Sequence, residues 1–421
     1  MTTTTQLITR QVPAASSAPM TAPAAPRRLR PTASLLLLAS IIISFLAASS
    51  APTPLYAIYQ HQWGFTTITT TIVFGVYALA VLVALLTLGK VSDHVGRRPV
   101  LFAALAGQAA AMVVFATASG VPELLLARVV QGLATGAALG ALGAGMLDVS
   151  RERGTLANAV APGMGTALGA LVSGLVVQYL PAPEHLIYLS LLAVFAIQAV
   201  GVGFLRESVS PKPGVLATLV PEIALPRALR RPVLTAVPVL FAVWALAGFY
   251  GSLSPALTRQ LTGSTSVVFG GLGLFVLAGV AAAATYLMRN VAARTVMVTG
   301  VLTLVVGVVI TLSAVGAGSA PLYFAGTAVA GFGFGSGFQG GIRTVVPLAA
   351  AHERSGVLSL LFVVSYLGMG GPAVAAGFLV VHDGGLVQTA REYGIFVMVL
   401  AVLALVGLLR RPAAVRTARP V

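Results

Sequence analysis

The stretch GKVSDHVGRRP, residues 89–99, is a short charged segment between two long apolar runs, residues 67–88 and 99–118. Each run is close to the ~20 residues that an α-helix needs to cross a hydrocarbon core about 30 Å thick. The segment therefore predicts a polar turn between two membrane-spanning helices. The same alternation of long apolar runs and short polar turns continues along the whole chain.

The composition agrees with this local pattern. Of the 421 residues, 57% are hydrophobic and only 8% are charged, whereas in soluble domains about a quarter of the residues are charged. Glycine and proline are scattered through apolar runs, which excludes a disordered or collagen-like chain. Cysteine is absent, so disulfides and thiol catalysis are excluded. The composition predicts an all-α polytopic membrane protein.

Twelve windows of the chain are long and apolar enough to span a membrane. They lie at residues 34–58, 67–88, 99–118, 121–146, 156–179, 185–205, 233–257, 266–288, 295–316, 320–346, 355–381 and 390–409. Cleavage of a signal peptide near Ala48 would remove the first window and leave eleven, so we interpret the first window as a true span.

The Lys and Arg residues predict the orientation. Of the 25, we assign 22 to the termini and to alternate loops, two (Arg259 and Arg391) to the other loops, and Arg128 to span four. Because cytoplasmic loops carry the basic excess, we predict a multi-pass plasma (inner) membrane protein with both termini cytoplasmic. The net charge of +15 then reflects topology and contact with anionic lipids, and we predict no nucleic-acid partner.

The chain divides into two similar halves. Features recur about 200 residues apart: Thr53-Pro54 corresponds to Ser254-Pro255, and Gly136 to Gly335. Such repeats are typical of transporters with a substrate site at the midplane between two bundles. We predict two pseudo-symmetric six-helix bundles. The domain boundaries are a disordered cytoplasmic tail at 1–31, a bundle at 32–205, a cytoplasmic linker at 206–232, a bundle at 233–410 and a cytoplasmic tail at 411–421.

The segment after span two resembles the signature loop of the major facilitator superfamily, G-x-x-x-D-[RK]-x-G-[RK]-[RK]. The matching residues are Gly89, Asp93, Gly96, Arg97 and Arg98, and His94 departs from the pattern. RVVQG at 128–132 resembles the family's R-x-x-Q-G motif. The resemblance implies a twelve-span transporter that alternates access to a central site. We expect a monomer that needs no cofactor and is not an enzyme.

The resemblance also implies a role for the loop. In the family, these residues form a conformational latch against the other half, where the partners would be Glu353, Arg354 and Ser355 at the start of span eleven. From the residues alone, Asp93 and Arg97 are four apart and can pair on one helical turn, and the acid can also cap a neighbouring helix. The alternative is a solvated loop that serves only to fix the topology.

Arg128 lies within span four, where an uncompensated Arg costs at least about 2.5–3.5 kcal/mol. Gln131 and Thr135 follow on the same helical face. The resemblance implies that Arg128 and Gln131 lie near a proton or substrate path, and Glu123 and Asp148 are the carboxylates we associate with that path. The alternative is that Arg128 points outward to the interface or pairs structurally with Glu123.

Several polar and aromatic residues within the spans are candidates to line a substrate cavity, although each could instead bridge helices or anchor the membrane interface. They are Thr53, Tyr56, Gln108, Asn158, Trp244, Tyr250, Gln339, Arg343 and Tyr366. The His residues His61, His185 and His382 have no metal-ligand spacing, so we predict no metal site.

We interpret the chain as a secondary active transporter of small hydrophobic molecules, with antibiotic efflux coupled to protons as the favoured function. APTPLY at 51–56 resembles the drug-efflux branch, but Ala170 stands where its antiporters carry a proline. A symporter or exporter of a specific metabolite is the alternative, and a membrane enzyme or sensor is disfavoured. Because none of the ten acids lies mid-span, we predict neutral or anionic substrates.

Overall fold

The computed structural model describes residues 28–264, 266–350 and 352–409. The regular structure of these residues is helical, with twelve long helices. They are α1 Pro31–Ser50, α2 Thr67–Leu88, α3 Arg97–Ala116, α4 Val121–Val149, α5 Arg151–Tyr179, α6 Pro183–Gly203, α7 Arg230–Ser252, α8 Val267–Leu287, α9 Ala293–Ala317, α10 Ala320–Val345, α11 Arg354–His382 and α12 Gly385–Leu409. The two predicted tails fall almost entirely outside the described residues.

Each predicted span corresponds to one long helix. Eleven of the helices in the described part of the chain are long and apolar enough to cross a membrane. The remaining one, α10, spans 26 residues, but its seven glycines lower its hydropathy. Glycine at these positions allows close helix packing, so α10 is a membrane-spanning helix like the other eleven despite its lower hydropathy.

Spans one and seven are shorter than predicted, because proline interrupts them. Helix α1 ends at Ser50 rather than near residue 58, and residues 51–55 form turns before a short helix, Tyr56–Trp63. Pro52 and Pro54 cannot donate the backbone hydrogen bonds that would continue the helix. Helix α7 ends at Ser252 and is followed by a second short helix, Ser254–Thr262, with Pro255 in its first turn.

Glycine faces on α4 and α10 let neighbouring helices approach closely, and they do so equivalently in both halves. A Cβ atom at Gly136 would lie 2.5 Å from the Val81 carbonyl oxygen of α2. A Cβ atom at Gly335 would lie 2.2 Å from the Ala281 carbonyl oxygen of α8. Small residues at such contacts are typical of membrane helix pairs. The predicted internal repeat is therefore visible in the packing.

A second equivalence lies at the helix ends. Arg98, at the start of α3, donates to the Val202 carbonyl at 3.2 Å and to the Gly203 carbonyl at 2.8 Å, at the end of α6. Arg294, at the start of α9, donates to the Leu408 carbonyl at 3.1 Å, at the end of α12. Cations at helix C-termini satisfy carbonyls that have no partner within the helix.

The two halves have separate hydrophobic cores, one built from α1–α6 and the other mainly from α7–α12. They meet along two helix pairs, α2 with α11 and α5 with α8. The linker touches both halves, since Glu222 pairs with Lys90 and the Ala224 amide donates to the Gly356 carbonyl at 3.2 Å. This arrangement places a central interface between two bundles.

Candidate functional site

An aromatic and aliphatic cluster, called here the interface cluster, lies between the halves. Its buried members come from α2 and α11, and its half-buried members include Trp244 of α7. The buried members are Tyr77, Ala78, Val81, Leu82, Tyr366 and Met369. The residues of this cluster give the interface an apolar and aromatic surface, and the buried guanidinium of Arg128 lies 5.2 Å from the ring of its member Tyr77.

Trp244 has an unpaired hydrogen-bond donor within this cluster. Its ring centroid lies 5.1 Å from that of Tyr366 and 5.5 Å from that of Phe338. The indole Nε1 is buried and has no hydrogen-bond partner in the described part of the chain. Buried polar groups are normally paired, so the indole nitrogen is a position where a ligand acceptor would fit.

Gln339 of α10 has an unpaired hydrogen-bond acceptor, whereas Trp244 has an unpaired donor. Its Nε2 donates to the Thr285 carbonyl of α8 at 3.1 Å, while its Oε1 is buried and has no partner among the described residues. The second half therefore carries an unsatisfied donor at Trp244 and an unsatisfied acceptor at Gln339, and Ser336 Oγ is a third buried polar atom without a partner among the described residues.

Arg128 is completely buried in the first half. It donates to the Ser49 carbonyl and to Gln131 Oε1, each at 2.8 Å, and to the Tyr56 hydroxyl at 2.5 and 3.2 Å. The Tyr77 ring centroid lies 5.2 Å from the guanidinium carbon, and cation–π contact stabilises a desolvated Arg. The ion pairs found among the described residues do not include Arg128. It thus neither reaches outward nor pairs with Glu123.

The other residues of the predicted proton path are dispersed. Gln131 and Arg128 are in contact, but Glu123 and Asp148 lie near opposite ends of α4. At 1.5 Å per residue, the 25 positions between them correspond to about 37 Å. Glu123 has a buried Oε2 without a partner in the described part of the chain. Gln108 donates to Thr135 Oγ1 at 2.8 Å.

The signature loop forms a carboxylate cluster around Arg97. The guanidinium pairs with Asp93, donates to Ser92 Oγ at 2.7 Å, and has its Nε 3.4 Å from Asp148 Oδ2. Ser208 of the linker also donates to Asp148, at 2.7 Å. Arg97 therefore links the loop to the C-terminal end of α4.

Glu207, a linker residue that the sequence did not single out, caps helix α3. Its carboxylate accepts from the backbone amides of Arg97 at 2.8 Å and Arg98 at 2.9 Å. An acid at a helix N-terminus satisfies unpaired amides and complements the helix dipole. Gly96 precedes the helix with φ of +103°, a conformation that favours glycine. Asp93, the acid whose position also suggests capping, pairs with Arg97 instead.

The proposed latch partners of the second half form no hydrogen bond or ion pair with the loop among the described residues. Glu353 Oε2 accepts from the Ala350 amide at 3.3 Å, and Arg354 donates to the Ala349 carbonyl at 3.2 Å. The hydrogen bonds of the described residues connect Asp93 and Arg97 to the first half and to Glu207 of the linker. The latch therefore stays a prediction.

The remaining cavity candidates are in varied surroundings. Tyr250 bonds Thr327 at 2.7 Å inside the second bundle. Arg343 donates to the carbonyls of Met288 at 3.2 Å and Val291 at 2.7 Å, which closes the end of α8. Asn158 is exposed on α5. Of the nine candidates, Trp244 and Tyr366 lie together at the interface. Within the described ranges, no group of three or more His, Cys, Asp or Glu could hold a metal.

Two six-helix halves that repeat one another and meet at a central interface are the architecture typical of polytopic membrane transporters. The family is the Major Facilitator Superfamily, to which the chain belongs, since the family profile matches residues 36–370. The protein is therefore a transporter rather than an enzyme.

Solved structures share the fold. The human organic anion transporter MFSD10 (TETRAN) superposes with a TM-score of 0.66 at 18% identity, over 90% of this chain and 100% of that chain. A point mutant of the nucleoside transporter NupG superposes with a TM-score of 0.68 at 12% identity, over 90% of this chain and 99% of that chain. At these identities the likeness concerns the fold alone.

A curated relative matches a shorter region. A triacylglyceride transporter of Mycobacteroides abscessus is 40% identical over 107 residues, which cover 24% of this chain and 20% of the relative. The matched region thus spans about a fifth of the length of that relative.

Proposed function

We propose that this protein exports small, mainly hydrophobic molecules across the plasma membrane, with antibiotics among the substrates, by rocking α1–α6 against α7–α12. The observation that carries the proposal is the aromatic and aliphatic interface cluster with the indole donor of Trp244, which has no partner among the described residues. An apolar site with few polar groups binds ligands through buried area and is selective through those groups.

The substrate class follows from the same residues. Tyr77, Tyr366 and Trp244 offer aromatic surface, and the indole nitrogen offers one hydrogen bond to a ligand oxygen. Among the described residues, the buried charged side chain is the cation Arg128, which lies 5.2 Å from the Tyr77 ring and favours neutral or anionic ligands over cations. The relative described as a triacylglyceride transporter supports an apolar cargo.

We propose protons as the coupling ion and a monomer as the working unit, in contact with membrane lipids. A symporter or exporter of a specific metabolite is the alternative function. It would show a single tightly bound polar ligand instead of a range of apolar ones.

Tryptophan fluorescence tests the site directly, because the chain has only two Trp residues. In Trp63→Phe protein in nanodiscs, the emission comes from Trp244 alone. We expect saturable changes with neutral and anionic amphiphiles and a weak response to quaternary ammonium compounds.

The matched control is Trp244→Phe, which keeps Trp63, stacked on Tyr59 at 4.6 Å, as a reporter remote from the interface. Its emission should not respond to the same ligands. Equal responses of both single-tryptophan proteins, or preferential binding of cations to the Trp63→Phe protein, would contradict the proposal.

A further inference from the structure

The proline break in α1 leaves carbonyl groups without their usual helical partners. The Ala48 carbonyl would accept from residue 52, but Pro52 has no amide hydrogen. The Ser49 carbonyl would accept from the Thr53 amide, but that amide bonds the Ser50 carbonyl at 3.1 Å. These two acceptors, one at buried Ala48 and one at half-buried Ser49, therefore need donors from elsewhere, since unpaired backbone groups are costly inside a membrane.

Arg128 and Gln131 of α4 supply those donors. Gln131 Nε2 donates to the Ala48 carbonyl at 3.0 Å, and Arg128 Nη1 donates to the Ser49 carbonyl at 2.8 Å. Arg128 also bonds the hydroxyl of Tyr56, which begins the short helix beyond the break. One guanidinium thus holds both sides of the break, which the point charge of a Lys could not do equally well.

The same break forms a contact with the second half on the side that the Lys and Arg distribution predicts to face outward. Thr53 Oγ1 lies 3.5 Å from the Gly251 carbonyl oxygen, a long contact for this type of hydrogen bond. That carbonyl has no helical donor, because the residue four positions later is Pro255. Thr53 is buried, with 2% of its surface exposed. Each half therefore contributes a proline break to one closed contact.

The second half has no equivalent of the Arg128 cation. Gly132 and Gly136 correspond to Gly331 and Gly335, an offset of 199, which places Thr327 at the position of Arg128. Thr327 bonds Tyr250 at 2.7 Å. The buried cation is thus specific to the first half, where the break is the longer of the two.

We propose that Arg128 and Gln131 are positioning residues for an outer gate formed by the proline breaks at residues 51–55 and 252–255. They act through the backbone of α1 rather than by touching substrate. A substitution that weakens the hydrogen bonds of Arg128 or Gln131 to α1 lets residues 51–55 shift. The shift separates Thr53 from the Gly251 carbonyl, and the conformational equilibrium moves toward an outward-open state.

Distances between spin labels test this gate without any ligand, and the chain has no native Cys. The outer pair is Thr66→Cys with Asp383→Cys, and the inner pair is Glu152→Cys with Asn290→Cys; all four positions are exposed. In nanodiscs, we expect Gln131→Leu and Arg128→Lys to increase the fraction of molecules in which the labels of the outer pair are farther apart and those of the inner pair are closer together. Thr53→Val should cause the same shift, and its combination with Gln131→Leu should add little.

Arg294→Ala is the matched control, because it removes an Arg that bonds a carbonyl at the inner end of the second half. It should leave the outer distances unchanged. Two results would overturn the proposal. Unaltered distance distributions in Gln131→Leu would show that Gln131 is not coupled to the outer gate. An increase of both the outer and the inner distances would show that the whole protein has loosened. Failure of the ligand tests at Trp244 would not change these distances, so the two proposals fail separately.

Discussion

At the scale of single residues, Arg97 and Arg98 are neighbours in sequence but have different partners. Arg97 pairs with carboxylates, whereas Arg98 bonds the carbonyls at the end of α6. We predict that Asp93→Asn lowers the transport rate roughly fivefold, equivalent to about 1 kcal/mol, the upper value for an exposed ion pair. The protein should remain folded, because Asp148 still contacts Arg97.

Transport into proteoliposomes measures this effect, and thermal unfolding of the same preparation checks the fold. The control is Asp383→Asn, which changes an exposed acid directly after the C-terminal end of α11. This variant should transport normally. Wild-type rates in Asp93→Asn would show that the loop serves topology only.

The motif in the sequence was sufficient to predict the Asp93 and Arg97 pair, because four-residue spacing is local. It was not sufficient for Glu207, whose partners lie 110 and 109 positions earlier in the chain. An acid directly after span six, on the same side as the signature loop, was the available signal. Its contact with α3 depends on how α6 packs, which no local pattern contains.

At the scale of elements, the glycines at the closest helix–helix contacts should not tolerate substitution by alanine, which adds a Cβ atom. A Cβ atom at Gly140 of α4 would lie 2.3 Å from the carbonyl oxygen of Gly89, whereas one at Gly279 of α8 would have Ala167 Cβ at an ordinary 3.7 Å. We predict that Gly140→Ala lowers the melting temperature and the yield of monodisperse protein. Gly279→Ala should be neutral or stabilising by up to about 1 kcal/mol, since Ala favours helix. Equal melting temperatures would contradict this account of the packing.

The helices themselves were predictable, because apolar length is a strong signal. The points at which proline interrupts these helices were harder to predict. Apolar residues continue through 51–59, which hides the end of α1 at Ser50, although Pro52 and Pro54 gave the chemical reason for it. The contact of Arg128 with α1 was likewise hidden, because the Ser49 carbonyl that accepts its hydrogen bond becomes available only where α1 breaks.

At the scale of the whole molecule, the repeat predicted from the sequence is present in the packing of α4 and α10 and in the Arg contacts at α6 and α12. The contacts between the halves could not be predicted in the same way. They depend on how the two halves dock, and the described residues near Glu353 form no hydrogen bond with the loop in this structure. The cytoplasmic location of the termini stays a prediction.

The charge distribution of the whole molecule predicts its coupling. The charge that the structure buries within the spans of the described chain is the cation Arg128, so a cationic drug would meet no compensating carboxylate at the centre. Glu123 keeps a buried Oε2 without a partner in the same part of the chain, while Asp148 is engaged by Arg97 and Ser208. We therefore expect Glu123, rather than Asp148, to carry a coupled proton.

In proteoliposomes with an imposed pH gradient, Glu123→Gln should abolish stimulation of transport by the gradient while preserving substrate exchange at equal pH. Glu392→Gln, which removes a half-buried acid of α12 bonded to Gln388, should keep the stimulation. Neutral and anionic substrates should be transported and quaternary ammonium dyes should not, because exchange of a cation for a proton needs an acid that can hold either. Protonophore-sensitive transport of such a dye that persists in Glu123→Gln and in Asp148→Asn would refute both the substrate charge and the site of coupling.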